Sequence, residues 1–237
     1  MHAFTKSLDE GAPRRHQSRL GEGCPAQSTV MGRTLLECCC KVRSRSLRSH
    51  SGEVSCPGGK ADDLDATLLD TALRETREEM GIAHDRIETL GHLGPPEKSL
   101  RGDIVWPFVG FVHSESTAER SEDPNAALPS IDLDAIRKTA SKDEVDFVFH
   151  LPLAQLGNPA RHRRYLFRNK RPYTAMDVSD LVEPLGGEFR STSIERPELD
   201  EVDGGRVEVW GLTGWYLWML ASHVTAPVSE SPMFYSR

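Results

Sequence analysis

Residues 74–82 read Arg-Glu-Thr-Arg-Glu-Glu-Met-Gly-Ile, and this stretch decides the fold because it closes a helix that is rich in carboxylates. The segment 67–80 has no Gly or Pro, follows Asp65 as a candidate N-cap and precedes Gly81 at the C′ position, so it predicts a helix. At the helical period its apolar residues gather on one stripe and three glutamates on a neighbouring stripe. Those glutamates are Glu75, Glu78 and Glu79.

The glutamate stripe predicts a metal site. Like charges three or four residues apart destabilise an isolated helix by roughly 0.2–0.5 kcal/mol per pair, so this cluster opposes folding unless a cation neutralises it. Carboxylate oxygens suit Mg²⁺ or Mn²⁺. Gly58 and Gly59, after Pro57, let a backbone carbonyl or amide approach an ion or phosphate closely. The alternative is a solvated acidic face with Arg74 and Arg77 as local partners.

The glycines and the acidic helix together resemble the Nudix box, G-x5-E-x7-R-E-U-x-E-E-x-G-U, in which U is a bulky aliphatic residue. The matching positions are Gly59, Arg74, Glu75, Glu78, Glu79, Gly81 and Ile82. The chain has one residue more between the first glycine and the arginine than the pattern allows, and Asp65 or Ala66 replaces its first glutamate. Thr76 stands where a larger aliphatic is usual. The resemblance implies an α/β/α Nudix sandwich with a mixed sheet and one catalytic helix.

The residues before the acidic helix narrow the resemblance to one branch of the Nudix family. Residues 43–62 read Arg-Ser-Arg-Ser-Leu-Arg-Ser-His-Ser-Gly-Glu-Val-Ser-Cys-Pro-Gly-Gly-Lys-Ala-Asp. This is similar to L-L-T-x-R-S-x-x-L-R-x-H-x-G-E-V-x-F-P-G-G-x-x-D, the signature of the coenzyme A diphosphatase branch of Nudix hydrolases, and is closest to the fungal peroxisomal type. That branch also carries the extra residue and the Asp-rich loop. The chain departs from it where Cys39-Cys40-Lys41 replaces Leu-Leu-Thr and Cys56 replaces the Phe.

The resemblance implies metal-dependent hydrolysis of the diphosphate bridge of coenzyme A to 3′,5′-ADP and 4′-phosphopantetheine. In that interpretation Glu78 and Glu79 hold metal with the Gly59 carbonyl, Glu75 holds metal or takes a proton from water, and Arg74 orients Glu75. Glu144 is a lesser candidate for a second base. Two rivals remain: a housecleaning diphosphatase for oxidised nucleoside triphosphates, and a non-catalytic nucleotide-binding Nudix domain.

Two groups of basic residues are candidates for substrate binding. Arg43, Arg45, Arg48 and His50 line the diphosphate groove or are surface groups beside a turn, and His50 is alternatively a structural histidine. Residues 157–205 form a predicted insertion whose start is basic and aromatic. Its Arg163 and Arg164 could bind a 3′-phosphate, and its aromatic residues could stack on adenine. The alternative is a solvated loop.

Composition limits the classes of molecule and compartment that the sequence predicts. A formal net charge of −7 argues against general nucleic-acid binding and predicts a small-molecule nucleotide substrate. No run of eighteen apolar residues is present, so no membrane span is expected. Five cysteines, three of them adjacent, predict strand fillers in a reducing intracellular compartment. A peroxisomal location follows from resemblance only, because residues 235–237 are not Ser-Lys-Leu. Oligomeric state stays open.

The coarse organisation is one Nudix domain over residues 31–237. Residues 1–30 lack apolar periodicity and are expected to be disordered or poorly packed, which would leave the first hairpin incomplete. Beyond the acidic helix, the patterns predict strands and one further helix. The strands are expected at 36–43, 53–56, 86–92, 105–113, 145–151 and 206–212, and the helix at 213–223.

Overall fold

The computed structural model describes residues 2–6, 37–99, 101–114, 131–167, 171–186 and 206–224. Its strands are β1 His2–Lys6, β2 Glu37–Arg43, β3 Val54–Ser55, β4 Ile87–His92, β5 Glu97–Lys98, β6 Ile104–Val105, β7 Phe108–Val112, β8 Val145–Pro152, β9 His162–Phe167, β10 Arg171–Asp177 and β11 Glu208–Val209. Its α-helices are α1 Leu68–Met80, α2 Leu133–Thr139, α3 Ser179–Val182 and α4 Gly211–Val224.

The main sheet is organised around β2, which pairs antiparallel with β8 along its whole length. The other edge of β2 is shared: β1 pairs with its first residues and β3 with its last ones, both antiparallel. β1 also runs parallel to β7, which pairs antiparallel with β4. The sheet is therefore mixed, as predicted.

Alternation along β2 sends side chains into two separate cores. Cys38 and Cys40 pack in a core that includes Leu217 and Leu220 of α4, whereas Cys39 packs with Met80 of α1 and Ile136 of α2. Helices therefore cover both faces of the sheet, which confirms the predicted α/β/α sandwich. Cys38, Cys39 and Cys40 are buried free thiols in β2, so the strand-filler interpretation is confirmed for these three. Cys56, just after β3, is also a buried free thiol.

Helix α1 begins and ends for local reasons. The predicted N-cap was wrong: Thr67 caps the helix by accepting the Asp70 N–H at 3.2 Å, because Arg74 engages the Asp65 carboxylate. At the other end Gly81 has φ 69°, a left-handed conformation that glycine adopts without penalty, and its N–H donates to the Arg77 carbonyl. Here the predicted C′ glycine is confirmed.

The structure corrects the expectation for the first residues. Residues 2–6 form β1, which lies between β2 and β7. Backbone hydrogen bonds to these two strands hold β1 in the sheet, although its sequence lacks the apolar alternation of a typical strand. The hairpin expected to be incomplete therefore gains its strand. Residues 7–30 lie outside the described part of the chain.

The predicted insertion at 157–205 also contains regular structure. β9 and β10 form an antiparallel hairpin that pairs with β11 in a three-stranded sheet, so the solvated-loop interpretation is wrong for residues 162–167 and 171–177. Residues 187–205 are not described. The strand expected over 105–113 is interrupted at Trp106 and Pro107, as its central proline indicated, and α2 was not foreseen. No helix in the described ranges is long and apolar enough to cross a membrane.

Candidate active site

Arg74 organises the acidic end of the site. Its Nε and Nη2 donate to the two oxygens of Asp65 at 2.9 and 3.0 Å, a bidentate pair that lowers the pKa of Asp65. Its Nη1 donates to Glu75 at 3.1 Å and to Glu78 at 3.0 Å. One guanidinium therefore holds the side chains of Glu75 and Glu78 next to each other. It also binds the Lys60 carbonyl, which joins the glycine loop to the helix.

Glu75 lies directly against Gly59. A Cβ added at Gly59 would overlap the Glu75 carboxylate, so only glycine leaves room for this approach. Burial raises the pKa of Glu75, Arg74 opposes that shift, and the negative charge of Glu79 adds to it. Glu75 is thus a partly desolvated carboxylate beside a backbone free of side chains, which is suited to binding a cation.

Glu79 turns away from the other two glutamates and into the protein. Its side chain is 4% exposed, and it forms an ion pair with the fully buried ammonium group of Lys41 in β2. Its second oxygen accepts the Gly58 N–H at 2.9 Å. Burial lowers the pKa of Lys41, Glu79 opposes that shift, and the charge of Arg43 adds to the lowering.

The oxygen atoms of the glutamates and of the glycine loop suit a hard divalent cation, although the structure does not bring them together around one point. Among the described residues no three acidic, His or Cys side chains form a ready-made metal-binding group. Each of the three glutamates already has a cationic partner: Arg74 forms ion pairs with Glu75 and Glu78, and Lys41 forms one with Glu79. Glu75, Glu78 and the Gly59 carbonyl supply the oxygen ligands that Mg²⁺ and Mn²⁺ prefer.

A comparison with protein families decides the assignment. The model of the NUDIX domain matches residues 39–169, more than half of the chain, and this range contains the glycine loop and α1. The chain belongs to the Nudix family. Since the match begins in β2 and ends just after β9, it covers every element that contributes to the site.

Curated relatives in the Nudix family resemble part of the chain. It is 36% identical over 124 residues to the uncharacterized Nudix hydrolase NudL of Pectobacterium atrosepticum, covering 52% of this chain and 60% of that protein. It is 40% identical over 113 residues to NudL of Klebsiella pneumoniae strain 342, covering 48% of each. The chain therefore spans about half to three fifths of these relatives.

Among solved structures, the chain is similar to the NUDIX domain of Shewanella oneidensis NrtR complexed with ADP ribose, with a TM-score of 0.32 and 18% identity. That similarity covers 65% of this chain and 73% of the other. A MutT/nudix family protein from Enterococcus faecalis gives a TM-score of 0.30 and 15% identity, covering 65% and 52%.

The predicted substrate-binding residues of 43–50 fall into two groups. Arg43 lies two residues beyond Lys41 in β2, and its buried Nε has no hydrogen-bond partner among the described residues. Arg45 is exposed and donates to Asp146 at 3.3 Å, and Arg48 is exposed. His50 has φ 54° and contacts Glu53 through Nδ1 at 3.0 Å, so it helps to shape the turn. Only Arg43 faces inward beside the Nudix site.

The basic hairpin is partly neutralised by carboxylates that lie later in the chain. Arg161 donates to Asp180 through Nη2 at 2.7 Å, and Arg163 lies 3.6 Å from Asp177. Arg164 is exposed. Tyr165 and Tyr173 stack with centroids 5.4 Å apart, so these rings pack on each other. The prediction of a 3′-phosphate site at Arg163 and Arg164 remains a proposal.

Sequence reasoning missed Lys41 and the role of Asp65. Lys41 appeared only as a departure from the family signature, and no local pattern linked it to Glu79. Asp65 stands near the position of the missing first glutamate, and that displacement was the one available signal. The structure shows that Asp65 anchors Arg74.

Gly59→Ala should lower kcat by about tenfold with the fold retained, because the added methyl displaces the Glu75 carboxylate and misplacement of a reacting group is costly. The backbone of Gly59 has no positive φ, so alanine itself adds no strain. Steady-state kinetics and a thermal melt check this. Unchanged kcat with an unchanged melting temperature would show that the contact with Glu75 has no role.

Proposed function

We propose that this Nudix protein hydrolyses the diphosphate bridge of coenzyme A or its derivatives, with Mg²⁺ or Mn²⁺, to 3′,5′-ADP and 4′-phosphopantetheine. The observation that carries the hydrolase part is the placement of Glu75 and Glu78 on one guanidinium, with Glu75 against Gly59. A P–O–P bridge is shielded from water by its charged oxygens. A bound divalent ion neutralises those oxygens and lowers the pKa of water.

The chain's own residues have separate roles in this proposal. Glu75 and Glu78 hold the ion with the Gly59 carbonyl, and Glu79 is the third candidate ligand. Glu75 is also placed to accept a proton from water, since its raised pKa makes it a better base than a solvated glutamate. Arg74 orients Glu75 and is itself fixed by Asp65. Glu144 lies exposed in the loop before β8 and stays a secondary candidate for a base.

The choice of coenzyme A rests on the segment that leads into the site. Residues 43–62, which resemble the signature of the coenzyme A diphosphatase branch, run from the end of β2 through β3 to the glycine loop. Three buried polar atoms of this segment, Arg43 Nε, Glu53 Oε1 and Ser55 Oγ, have no hydrogen-bond partner in the described part of the chain. Buried unpaired polar groups are costly unless a ligand or water satisfies them, so the segment is suited to receiving a polar substrate.

A substrate panel tests the proposal. The full chain is assayed with Mg²⁺ on coenzyme A, dephospho-coenzyme A, ADP-ribose and an oxidised dGTP, and the products are separated chromatographically. The expected result is the highest kcat/KM on coenzyme A, with 3′,5′-ADP as a product. Preference for the oxidised dGTP would instead support the housecleaning rival, and no hydrolysis of any substrate would support the non-catalytic one.

The double variant Arg163→Ala/Arg164→Ala should raise KM for coenzyme A at least about tenfold and leave dephospho-coenzyme A nearly unchanged, because only coenzyme A carries the 3′-phosphate. Hydrogen bonds to charged groups contribute roughly 1.5–3 kcal/mol each. The control Lys138→Ala removes an exposed positive charge from α2, away from the hairpin. Equal losses on both substrates, or none, would place any 3′-phosphate contact elsewhere, with Arg43 the first alternative.

A further inference from the structure

Lys41 combines full burial with a single ionic partner. Its side chain is 0% exposed, it pairs with Glu79 across the space between β2 and α1, and its ammonium makes no hydrogen bond to any other described residue. Taking a lysine out of water is costly unless an opposite charge accompanies it. Glu79 is thus the counter-ion of the Lys41 ammonium in this position.

Glu79 is in turn fully engaged. One oxygen contacts the Lys41 ammonium and the other accepts the Gly58 N–H at 2.9 Å. Glu75 and Glu78 differ from it, since they share one guanidinium and the side chain of Glu78 is 56% exposed. An ion that approaches from solvent therefore meets Glu75 and Glu78 first, while Glu79 already has a cation.

The net charge of the acidic site also favours a single divalent ion. Four carboxylates, of Asp65, Glu75, Glu78 and Glu79, face the two cationic side chains of Arg74 and Lys41. Two negative charges are left uncompensated, and one divalent ion neutralises them. A second divalent ion would leave an excess of positive charge in a partly buried site unless substrate oxygens offset it.

We propose that Lys41 is a resident cation that takes Glu79 out of metal coordination, so that the substrate-free protein binds one divalent ion through Glu75 and Glu78. Lys41 acts through Glu79 and is a positioning residue. It sits where the family signature has threonine, a neutral residue that would leave Glu79 free. This inference rests on the proposed metal dependence, and it concerns the number of ions bound and not the substrate.

Titration of the full chain with Mn²⁺, followed by calorimetry and by the EPR signal of free Mn²⁺, tests the inference without any substrate. Wild type should bind one Mn²⁺ per chain. Lys41→Met should bind a second Mn²⁺ or bind the first at least about tenfold more tightly, because Glu79 becomes available. Lys60→Met removes an exposed positive charge from the adjacent loop and should behave as wild type.

The double variant Lys41→Met/Glu79→Gln keeps the test decisive if Lys41→Met folds poorly, because it removes both buried charges. It should bind one Mn²⁺ within about threefold of the wild-type affinity. Two or more ions on wild type, equal binding by Lys41→Met and Lys60→Met, or loss of Mn²⁺ from the double variant would each overturn the inference. One bound Mn²⁺ without coenzyme A hydrolysis would leave it standing and remove only the proposed substrate, whereas no Mn²⁺ binding at all would remove the proposed metal dependence.

Discussion

Glu78→Gln should lower kcat by at least about a hundredfold, which corresponds to about 2.7 kcal/mol in the activation barrier. The substitution keeps the size of the side chain and removes only its charge, and with it a hard oxygen ligand. More than half of the Glu78 side chain is exposed, and its described hydrogen bond is to Arg74 at 3.0 Å. The fold should therefore be retained. Without metal its stability should be unchanged or slightly higher, because repulsion from Glu75 disappears while only an exposed ion pair with Arg74 is weakened.

Steady-state assays over a range of Mg²⁺ concentrations, together with a thermal melt, check this expectation. Asp85→Asn is a suitable control, because it removes an exposed carboxylate just beyond the C-terminus of α1. Near-normal turnover by the Glu78 variant at saturating Mg²⁺ would exclude Glu78 from the metal site. A collapse of the melting temperature would instead reveal a structural role that its exposure does not indicate.

Glu79→Met should destabilise the protein by about 3–5 kcal/mol, since it leaves the Lys41 ammonium buried without a counter-ion. Both side chains are almost completely inaccessible to solvent, so neither water nor salt screens the loss. The variant also deprives the Gly58 N–H of its acceptor. Urea unfolding in EDTA measures the free energy of unfolding without a contribution from metal.

The matched variant Lys41→Met/Glu79→Met should recover most of this loss, because replacing both members of a buried ion pair with apolar side chains is often neutral. Lys41→Met completes a double-mutant cycle and gives the coupling energy of the pair. A loss of less than about 1 kcal/mol for Glu79→Met, or no recovery in the double variant, would contradict the view that the pair is a buried ionic unit.

The acidic helix could be predicted from sequence because its information is local. Glycine at the C′ position and carboxylates at helical spacing specify α1 and the candidate ligands Glu75 and Glu78 without reference to the rest of the chain. The partner of Glu79 could not be predicted in this way. Lys41 lies in β2, and the contact exists only because β2 and α1 pack face to face. Asp65 was predicted to cap the helix for a similar reason. Its bidentate contact with Arg74 joins a loop to the helix, and no local sequence pattern indicates such a contact.

β1 and the β9–β10 hairpin could not be predicted from sequence, for two different physical reasons. β1 is held in the sheet by backbone pairing with β2 and β7. Because backbone pairing does not depend on side-chain type, the sequence of residues 2–6 carries no periodic pattern that predicts it. The residues of the β9–β10 hairpin were predicted to be a basic substrate-binding segment or, alternatively, a solvated loop, because their arginines are close together in sequence. Arg161 is paired with Asp180, just after the hairpin, and Arg163 lies near Asp177 at the end of β10, so charge density along the chain overstated the charge available to a ligand.

The position of β1 has a consequence for how the molecule resists association. β2 and β7 belong to different halves of the sheet, and residues 2–6 are the strip of backbone that joins them. Without that strip, two strand edges would present rows of unpaired N–H and C=O groups to solvent. Such edges are templates for strands from other molecules. A five-residue strand thereby protects the sheet against intermolecular pairing.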